Sequence, residues 1–509
     1  MKSEASISLR ARSYVRLVAF LCALLFVDHA AAQEPIRDND YSLDLAQGLA
    51  IGSVQQVGMG NAVTALANSL GGVPFNPAAA ATRGLNELKW IEPRGDFAIS
   101  FPGAFGQNDF YNNGLGMNRG LNIDDSIFVG GGFGIQIGSF GTSLLVDSQS
   151  YVVNDADGDP VSTVVLQSYR LSGGFGVLNG DIVLGASLLI SRSMIADRSL
   201  IQIILPTYAS EMLHTIEPGM EVGALYKPDG RRFRVGVAAV SQIRSRLVPT
   251  NSADIVEANG YIVPTFAVRP WEVRLGFAYQ FGRRPFNMTY HAPPNPAEWI
   301  RARERRARCE RLSRQLMSEA ERGIPPIRAF SPAERAACPH LPVRPADAAF
   351  WEEEELRRAE ERANREARIE EERARIKHQR WIDYEMLPRR YLLVSADLVV
   401  LGGVSRSVGI DGFLDQELRL HRGTPSFVPR VGVEGEPWRN RLKLRAGFYL
   451  EPGRNVGVAP RPHFTAGFDL NVLTLGLGGP VNPYAIRVGG KMDIARDYSE
   501  LGLTVGFWH

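Results

Sequence analysis

From Glu87 onward the chain alternates with a period of two, and few architectures tolerate that over most of 509 residues. In Arg441 to Glu451 the apolar set is Leu442, Leu444, Ala446, Phe448 and Leu450. The opposite set is Arg441, Lys443, Arg445, Gly447, Tyr449 and Glu451. Trp271 to Phe281 and Phe464 to Leu470 repeat the pattern, as does Ile486 to Met492 more loosely. Successive side chains of a strand point to opposite faces, so each stretch has one apolar face and one face of charges and glycines. A soluble sandwich also alternates. Three properties favour a transmembrane barrel. The repeats run about 9–13 residues, enough to cross a bilayer at a tilt. The second face mixes charge with glycine, as a polar lumen crossed by an inner segment would. The last strand, Leu501 to His509, runs to the end of the chain and closes on Phe507-Trp508, with His509 beyond them.

The expected strands are 87–101, 126–138, 140–153, 161–176, 181–196, 216–228, 233–248, 267–281, 391–402, 427–436, 440–451, 462–474, 483–495 and 500–508. That makes about fourteen, an even number, as single-chain bacterial barrels require. Parity puts both termini in the periplasm. It also collects the short turns (Leu178-Asn179-Gly180, Lys227 to Arg232, Glu436 to Asn440) on one side and the long loops (102–125, 197–215, 249–266, 404–426) on the other.

The N-terminus reads as a secretory signal. Lys2, Arg10, Arg12 and Arg16 precede a short apolar run, Leu17 to Val27, and the small residues Ala30-Ala31-Ala32. The run is too short to span a bilayer, and no later segment reaches about 18 apolar residues. The organisation expected is a signal peptide (1–32), an N-terminal plug segment (33–86), strands one to eight (87–282), an insert (283–390) and strands nine to fourteen (391–509). Cleavage removes Cys22, which leaves Cys309 and Cys338 in one exported insert and suggests a disulfide between them.

The insert interrupts the strands on the periplasmic side. It opens on Pro285, Pro293, Pro294 and Pro296, continues as a helix over about Ala297 to Arg322, and crosses over through Cys338. Phe350 to Trp381 is dense in Glu and Arg, with Glu353–Arg357, Glu354–Arg358 and Glu361–Arg365 at i,i+4, which supports a solvated helix. The reading is a helical hairpin projecting below the barrel, a surface for a periplasmic protein partner. Glu largely balances Arg there and the whole chain carries a net charge of +2, so nucleic-acid binding is a poor reading.

Gly58 to Thr82 is the other unusual stretch. It is too rich in Gly, Ala and small polar residues for an ordinary core helix, yet carries Val63, Leu66 and Leu70 and ends in a sharp Asn76-Pro77-Ala78 turn. Small residues let backbone approach backbone, and Pro77 holds Asn76 out of the α region. Such a segment belongs inside a container.

Catalysis finds little support. There is no HExxH, GxxxxGK[ST], GxSxG or CxxC motif, and seven of the eight His residues, those beyond His29, are scattered. No metal or cofactor is expected, and the chain is not expected to be an enzyme. Lumenal Asp469, Asp493, Glu272 and Glu451 are expected to pair with Arg445, Arg274, Arg487 and Lys491 rather than to act as acid and base. Asn154 to Asp159 resembles a calcium loop but lacks the closing Glu and runs into Pro160, which fits a hairpin turn. The loop Leu200 to Leu213 is strongly apolar for a segment facing outside. Such a patch either marks contact with a ligand or folds inward over the mouth.

The glycine-rich segment after the signal, ending in Asn76-Pro77-Ala78, resembles the N-terminus of the FadL/TodX-type outer-membrane transport family, and PorV-type barrels share similar wording. Pro429 to Glu434 and Leu444 to Tyr449 are similar to that family's late strands; the insert is not covered. The resemblance implies a fourteen-stranded all-β barrel in the bacterial outer membrane, surrounded by lipid and plugged by its own N-terminal segment. It implies uptake of hydrophobic, fatty-acid-like small molecules, captured at outer loops and released sideways through a strand gap. On this sequence Asn76, Pro77 and Ala78 become the plug turn, and Leu200, Ile201, Ile203, Ile204, Leu205 and Tyr208 the capture loop. No basic residue stands out to hold a carboxylate head group. The rival reading is a barrel that anchors a cell-envelope complex for secretion, motility or surface assembly through its periplasmic insert.

Overall fold

The computed structural model describes residues 34–46, 48–49, 51–68, 70–84, 90–106, 109–112, 122–154, 160–197, 211–250, 252, 254–287, 303, 304, 307, 311, 314, 318, 322, 348–386, 388, 390–475 and 484–507. The chain divides into two compact units, Met1–Tyr290 with Leu387–His509, and His291–Met386.

Fourteen antiparallel strands of the first unit close into one barrel. They are β1 (Ile91–Pro102), β2 (Asn122–Ile137), β3 (Phe140–Asn154), β4 (Pro160–Val177), β5 (Ile182–Asp197), β6 (Glu211–Tyr226), β7 (Phe233–Val240), β8 (Glu272–Gly282), β9 (Tyr391–Leu401), β10 (Ser426–Trp438), β11 (Leu442–Glu451), β12 (Arg461–Leu475), β13 (Tyr484–Ala495) and β14 (Tyr498–Phe507). Closure is between β14 and β1, with Gly506 opposite Asp96 and Glu500 opposite Pro102. Closing the sheet leaves no edge of unpaired backbone groups facing lipid.

The alternation sorts as the period of two requires. Phe97, Phe133, Leu144, Leu171, Leu188, Val222, Leu275, Leu398, Phe464 and Leu503 face outward and are exposed. Trp90, Phe140, Phe175, Tyr226, Phe281 and Trp438 are exposed at the end that carries the short turns, where an aromatic girdle meets a membrane interface. An apolar band on a closed, even-stranded barrel places the chain in the bacterial outer membrane, with the short turns periplasmic. No described helix is long and apolar enough to cross a membrane, a finding silent about barrels.

Two expected strands are cut short. The stretch 233–248 stays in the wall only to Val240; Ile243–Arg246 turns inward. The stretch 267–281 joins the wall only at Glu272, because Pro270 has no N–H to give a ladder and separates Phe266–Arg269 from β8. The two displaced segments pair with each other, and Phe266–Arg269 also pairs in parallel with Ser42–Asp44, which in turn pairs with Ser407–Val408. This four-stranded inner sheet is a product of loops and the N-terminal segment, not of the wall.

In the second unit, Ala348–Met386 is a single helix of 39 residues. Arg365 Nε and Arg368 Nη2 reach Glu304 at 2.5 and 2.7 Å, so Glu304 lies against the long helix. Cys309 and Cys338 lie outside the described residues.

Candidate functional site in the barrel lumen

Charged residues facing the lumen are paired much as expected. Arg445 bridges Glu434 and Asp469, Arg487 bridges Asp469 and Asp96, and Lys491 meets Glu500. Glu451 takes Arg461 at 2.7 Å and, with Asp493, flanks the buried His463, at 3.1 and 3.0 Å.

The segment Val54–Ala81 lies inside, and what seats it is a pattern of lumenal glycines. Gly141, Gly174, Gly185 and Gly223 stand in register on neighbouring strands, as do Gly236 with Gly276 and Gly432 with Gly447. A Cβ at Gly223 would come to 2.1 Å from Asn76 Oδ1, at Gly185 to 2.3 Å from Ala78 N, and at Gly447 to 2.2 Å from Gly60 N. The wall therefore has grooves that only hydrogen can line, and the plug backbone runs along them. Gly60 itself has φ +58°, with Phe448 backbone 2.9 Å from where a Cβ would be, so no other residue fits.

Plug polar groups are then answered from the wall. Asn76 is fully buried; its Oδ1 accepts from Ala78 N, capping the turn Pro77–Ala81, and its Nδ2 donates to Thr64 O and Ala224 O at 3.0 and 3.1 Å. Arg94 donates to the carbonyls of Ala79, Ala80 and Thr82, Arg234 to Leu66 O and Arg274 to Pro74 O. Asp397 accepts from Thr64 N at 2.9 Å. Val63 and Leu66 pack with Met59, Phe75 and Leu393; Leu70 packs with Ala78–Ala81, Val183 and Leu225.

The mouth is closed by a second apolar core. Tyr41, Leu43, Phe110, Tyr151, Ile195, Leu213, Phe413 and Tyr498 pack together beside the inner sheet. Asp44, at the end of the N-terminal inner strand, is fully shielded and held by His421 Nδ1 at 2.9 Å and by Arg454 Nη2. Burial alone would raise its carboxyl, but the His421 hydrogen bond and the Arg454 charge outweigh that and hold it below the usual range. At the periplasmic turn, burial pushes Lys227 down to about 8, with Arg234 adding to the effect.

Between plug and cap a cavity of about 230 Å³ remains. Leu45, Leu49, Ile51, Phe75, Phe128, Leu166 and Val428 give it apolar walls. Four arginines also line it, Arg170, Arg269, Arg274 and Arg430, against two carboxylates, Asp147 and Glu272. Arg170 takes Asp147 at 2.7 Å, and Arg274 takes both oxygens of Glu272 at 2.7 and 2.9 Å. Arg269 reaches only a hydroxyl, Ser168 Oγ at 3.3 Å, and has no ion pair among the described residues. Arg430 Nε and Nη1 are buried without a hydrogen bond. Its cross-strand neighbour Asp397 gives Oδ2 to Thr64 N, and its Oδ1 is likewise buried without a hydrogen bond.

Of the residues singled out from the sequence, Asn76, Pro77 and Ala78 meet inside the barrel on β5 and β6. Leu200, Ile201, Ile203, Ile204, Leu205 and Tyr208 lie outside the described residues. The sequence does not mark Arg269 and Arg430 as lining one cavity, since they are far apart in it and the strand expected over 267–281 runs straight through the inward turn at Pro270. For Arg430 a signal existed, its place on the polar face of an alternating strand.

No family model matches the chain, and no curated protein matches it. Solved structures do resemble it. A FadL homologue from Pseudomonas aeruginosa is 11% identical with a TM-score of 0.43, covering 91% of this chain and 99% of that one. The CymD monoaromatic hydrocarbon channel is 9% identical with a TM-score of 0.42, covering 90% and 96%. A TodX monoaromatic hydrocarbon channel mutant is 10% identical with a TM-score of 0.39, covering 91% and 99%.

Proposed function

We propose that this chain is an outer-membrane uptake channel of the FadL/TodX type, passing hydrophobic, fatty-acid-like compounds through a plugged barrel. The observation that carries the reading is the cavity between plug and cap, partly apolar and lined by wall, plug and inner-sheet residues. A hydrophobic solute gains roughly 25 cal/mol per Å² of apolar surface on leaving water, so such a cavity is a resting place on an inward route.

The wall supports a sideways release. β6 pairs with β5 from Ala196–Glu211 to Ile182–Tyr226, but with β7 only from Glu221 to Tyr226. Beyond the Ser241 N–Met220 O bond, the outer half of β6 has no ladder partner on its β7 side among the described residues, and Pro218, with no N–H to leave unpaired, lies in that stretch. The apolar loop with Leu200 to Tyr208 is the proposed capture surface, and the lipid around the barrel receives what leaves through the wall.

The test is uptake in cells that lack their own barrels of this kind. Full-length chain should raise the initial rate for a labelled hydrophobic compound several-fold over an empty vector. Deleting 290–385 should leave that rate intact while the barrel folds. Uptake no better than the empty vector, from a barrel shown to be folded, would overturn the reading.

A further inference from the structure

We propose that the outward-facing row Ser148–Gln167–Arg192–His214 seats a phosphate group of the outer leaflet's glycolipid, with the Arg192 guanidinium as its anchor. It follows from the barrel's place in the outer membrane, whatever the lumen carries. β3, β4 and β5 bring Ser148, Gln167 and Arg192 opposite one another, and His214 on β6 is the diagonal neighbour, opposite Met194. All four share the parity of Leu144, Leu171, Leu188 and Val222, so they stand on the lipid-facing side. Their polar ends are joined in sequence. Gln167 Nε2 donates to Ser148 Oγ at 3.3 Å, and Gln167 Oε1 accepts from Tyr169 OH at 3.2 Å and Arg192 Nη1 at 3.3 Å. Arg192 Nε donates to His214 Nε2 at 3.2 Å. The guanidinium is therefore held on the outside of the wall, and it has no ion pair among the described residues.

The level of the row decides what it meets. Ser148 and Gln167 lie eight residues above the paired girdle residues Phe140 and Phe175. At about 3.4 Å per residue and a strand tilt of about 40°, that is about 20 Å of height, against an apolar band about 25 Å tall. Below the row Val146, Ile190 and Ile216 are exposed, whereas above it on the same side Val165, Met194 and Ala196 are buried. The lipid-facing surface of these strands thus ends at Arg192. An arginine is costly in the middle of a bilayer and nearly free at its interface, where anionic head groups pair with it. The short turns are periplasmic, so the head groups at this end belong to the outer leaflet, whose glycolipid carries phosphates on its sugars. A guanidinium fork matches phosphate oxygens through two parallel hydrogen bonds. Val146, Ile190 and Ile216 lie below for the acyl chains, a contact that free inorganic phosphate cannot make.

The test is lipid binding to the full-length barrel in detergent, titrated by native mass spectrometry. The probes are diphosphoryl lipid A, the same lipid stripped of phosphate, phosphatidylglycerol and inorganic phosphate. Diphosphoryl lipid A should bind at least fivefold tighter than each of the others. Arg192→Gln should remove that preference, Arg192→Lys should keep part of it, and Gln167→Leu should weaken it severalfold by releasing the guanidinium. Arg496→Gln, at another exposed arginine of the outer end, should leave binding unchanged. Each variant must first show the wild-type heat-modifiable mobility, so that misfolding is not read as lost binding. Any of the other three probes binding as tightly as diphosphoryl lipid A would overturn the proposal. So would a folded Arg192→Gln barrel that binds lipid A normally, or an Arg496→Gln loss as large as that of Arg192→Gln.

Discussion

The lumen has two differently built regions. Below, the plug lies on glycine, with backbone against backbone and polar groups answered by Asn76, Arg94, Arg234 and Asp397. Above, the same barrel carries long side chains, leaves a cavity of about 230 Å³, and holds a guanidinium with donors unspent. One wall thus serves two purposes by side-chain size alone. Where it offers hydrogen, the chain fills itself; where it offers arginine and leucine, room is left for another molecule.

The sharpest way to break that contrast is to add a side chain to the glycine groove. Gly223→Leu would place its Cβ 2.1 Å from Asn76 Oδ1, and backbone lies behind it. Overpacking a filled core costs about 1–3 kcal/mol where something yields, and here the yielding part is the plug. The expected result is a displaced plug: loss of hydrogen-exchange protection over 60–81, and cells newly sensitive to large antibiotics that the intact barrel excludes. A Gly223→Leu barrel with wild-type protection would show that the groove is not a seat.

Next in size is Asn76→Ala. It removes the cap on Ala78 N and the donors to Thr64 O and Ala224 O in a fully buried setting. Each buried group left unsatisfied costs about 1–3 kcal/mol. Thermal unfolding of the purified barrel should fall accordingly, with exchange increased first in the plug rather than the wall. Equal loosening of wall and plug would argue that Asn76 supports the barrel as a whole.

How much of this was legible depends on what kind of contact was involved. Twelve of the expected strands match a wall strand with modest shifts at their ends, because alternation is local and directly written. The expected strand 233–248 was overextended because Ile243 to Arg246 alternates too; only tertiary pairing with Phe266–Arg269 reveals that it leaves the wall. The plug turn was legible because Asn-Pro-Ala is a local signal. The Asp44–His421–Arg454 cluster and the shared lining by Arg269 and Arg430 were not, since each brings together residues separated by more than a hundred positions.

The Asp44 cluster marks the seam between the two regions, because Leu45 and Ala46 beside it line the cavity. Its effect should follow pH. The folded-state pKa of Asp44 is depressed, so its contribution is complete above the unfolded value of about 3.9 and is lost as pH falls below that value. Proteolysis or exchange at 36–46 should therefore rise at acid pH, while Asp44→Asn should be loose at neutral pH and nearly flat across the range. A wild-type protein with no acid-dependent change there would detach Asp44 from the closure of the cavity.

The smallest stability effect should come from repeating the first substitution on the other side of the contrast. Ser193 is buried on β5 and lines the cavity. Ser193→Leu adds the same kind of bulk as Gly223→Leu, but into space instead of backbone. Its stability should change by about 1 kcal/mol or less, since added methylenes that find room avoid the strain of overpacking. Plug protection should stay at the wild-type level while uptake of the labelled hydrophobic compound falls, because the leucine takes volume a solute would use. If Ser193→Leu destabilises the barrel as much as Gly223→Leu does, the cavity is as tightly specified as the plug seat, and the division of the lumen into a filled half and a receiving half fails.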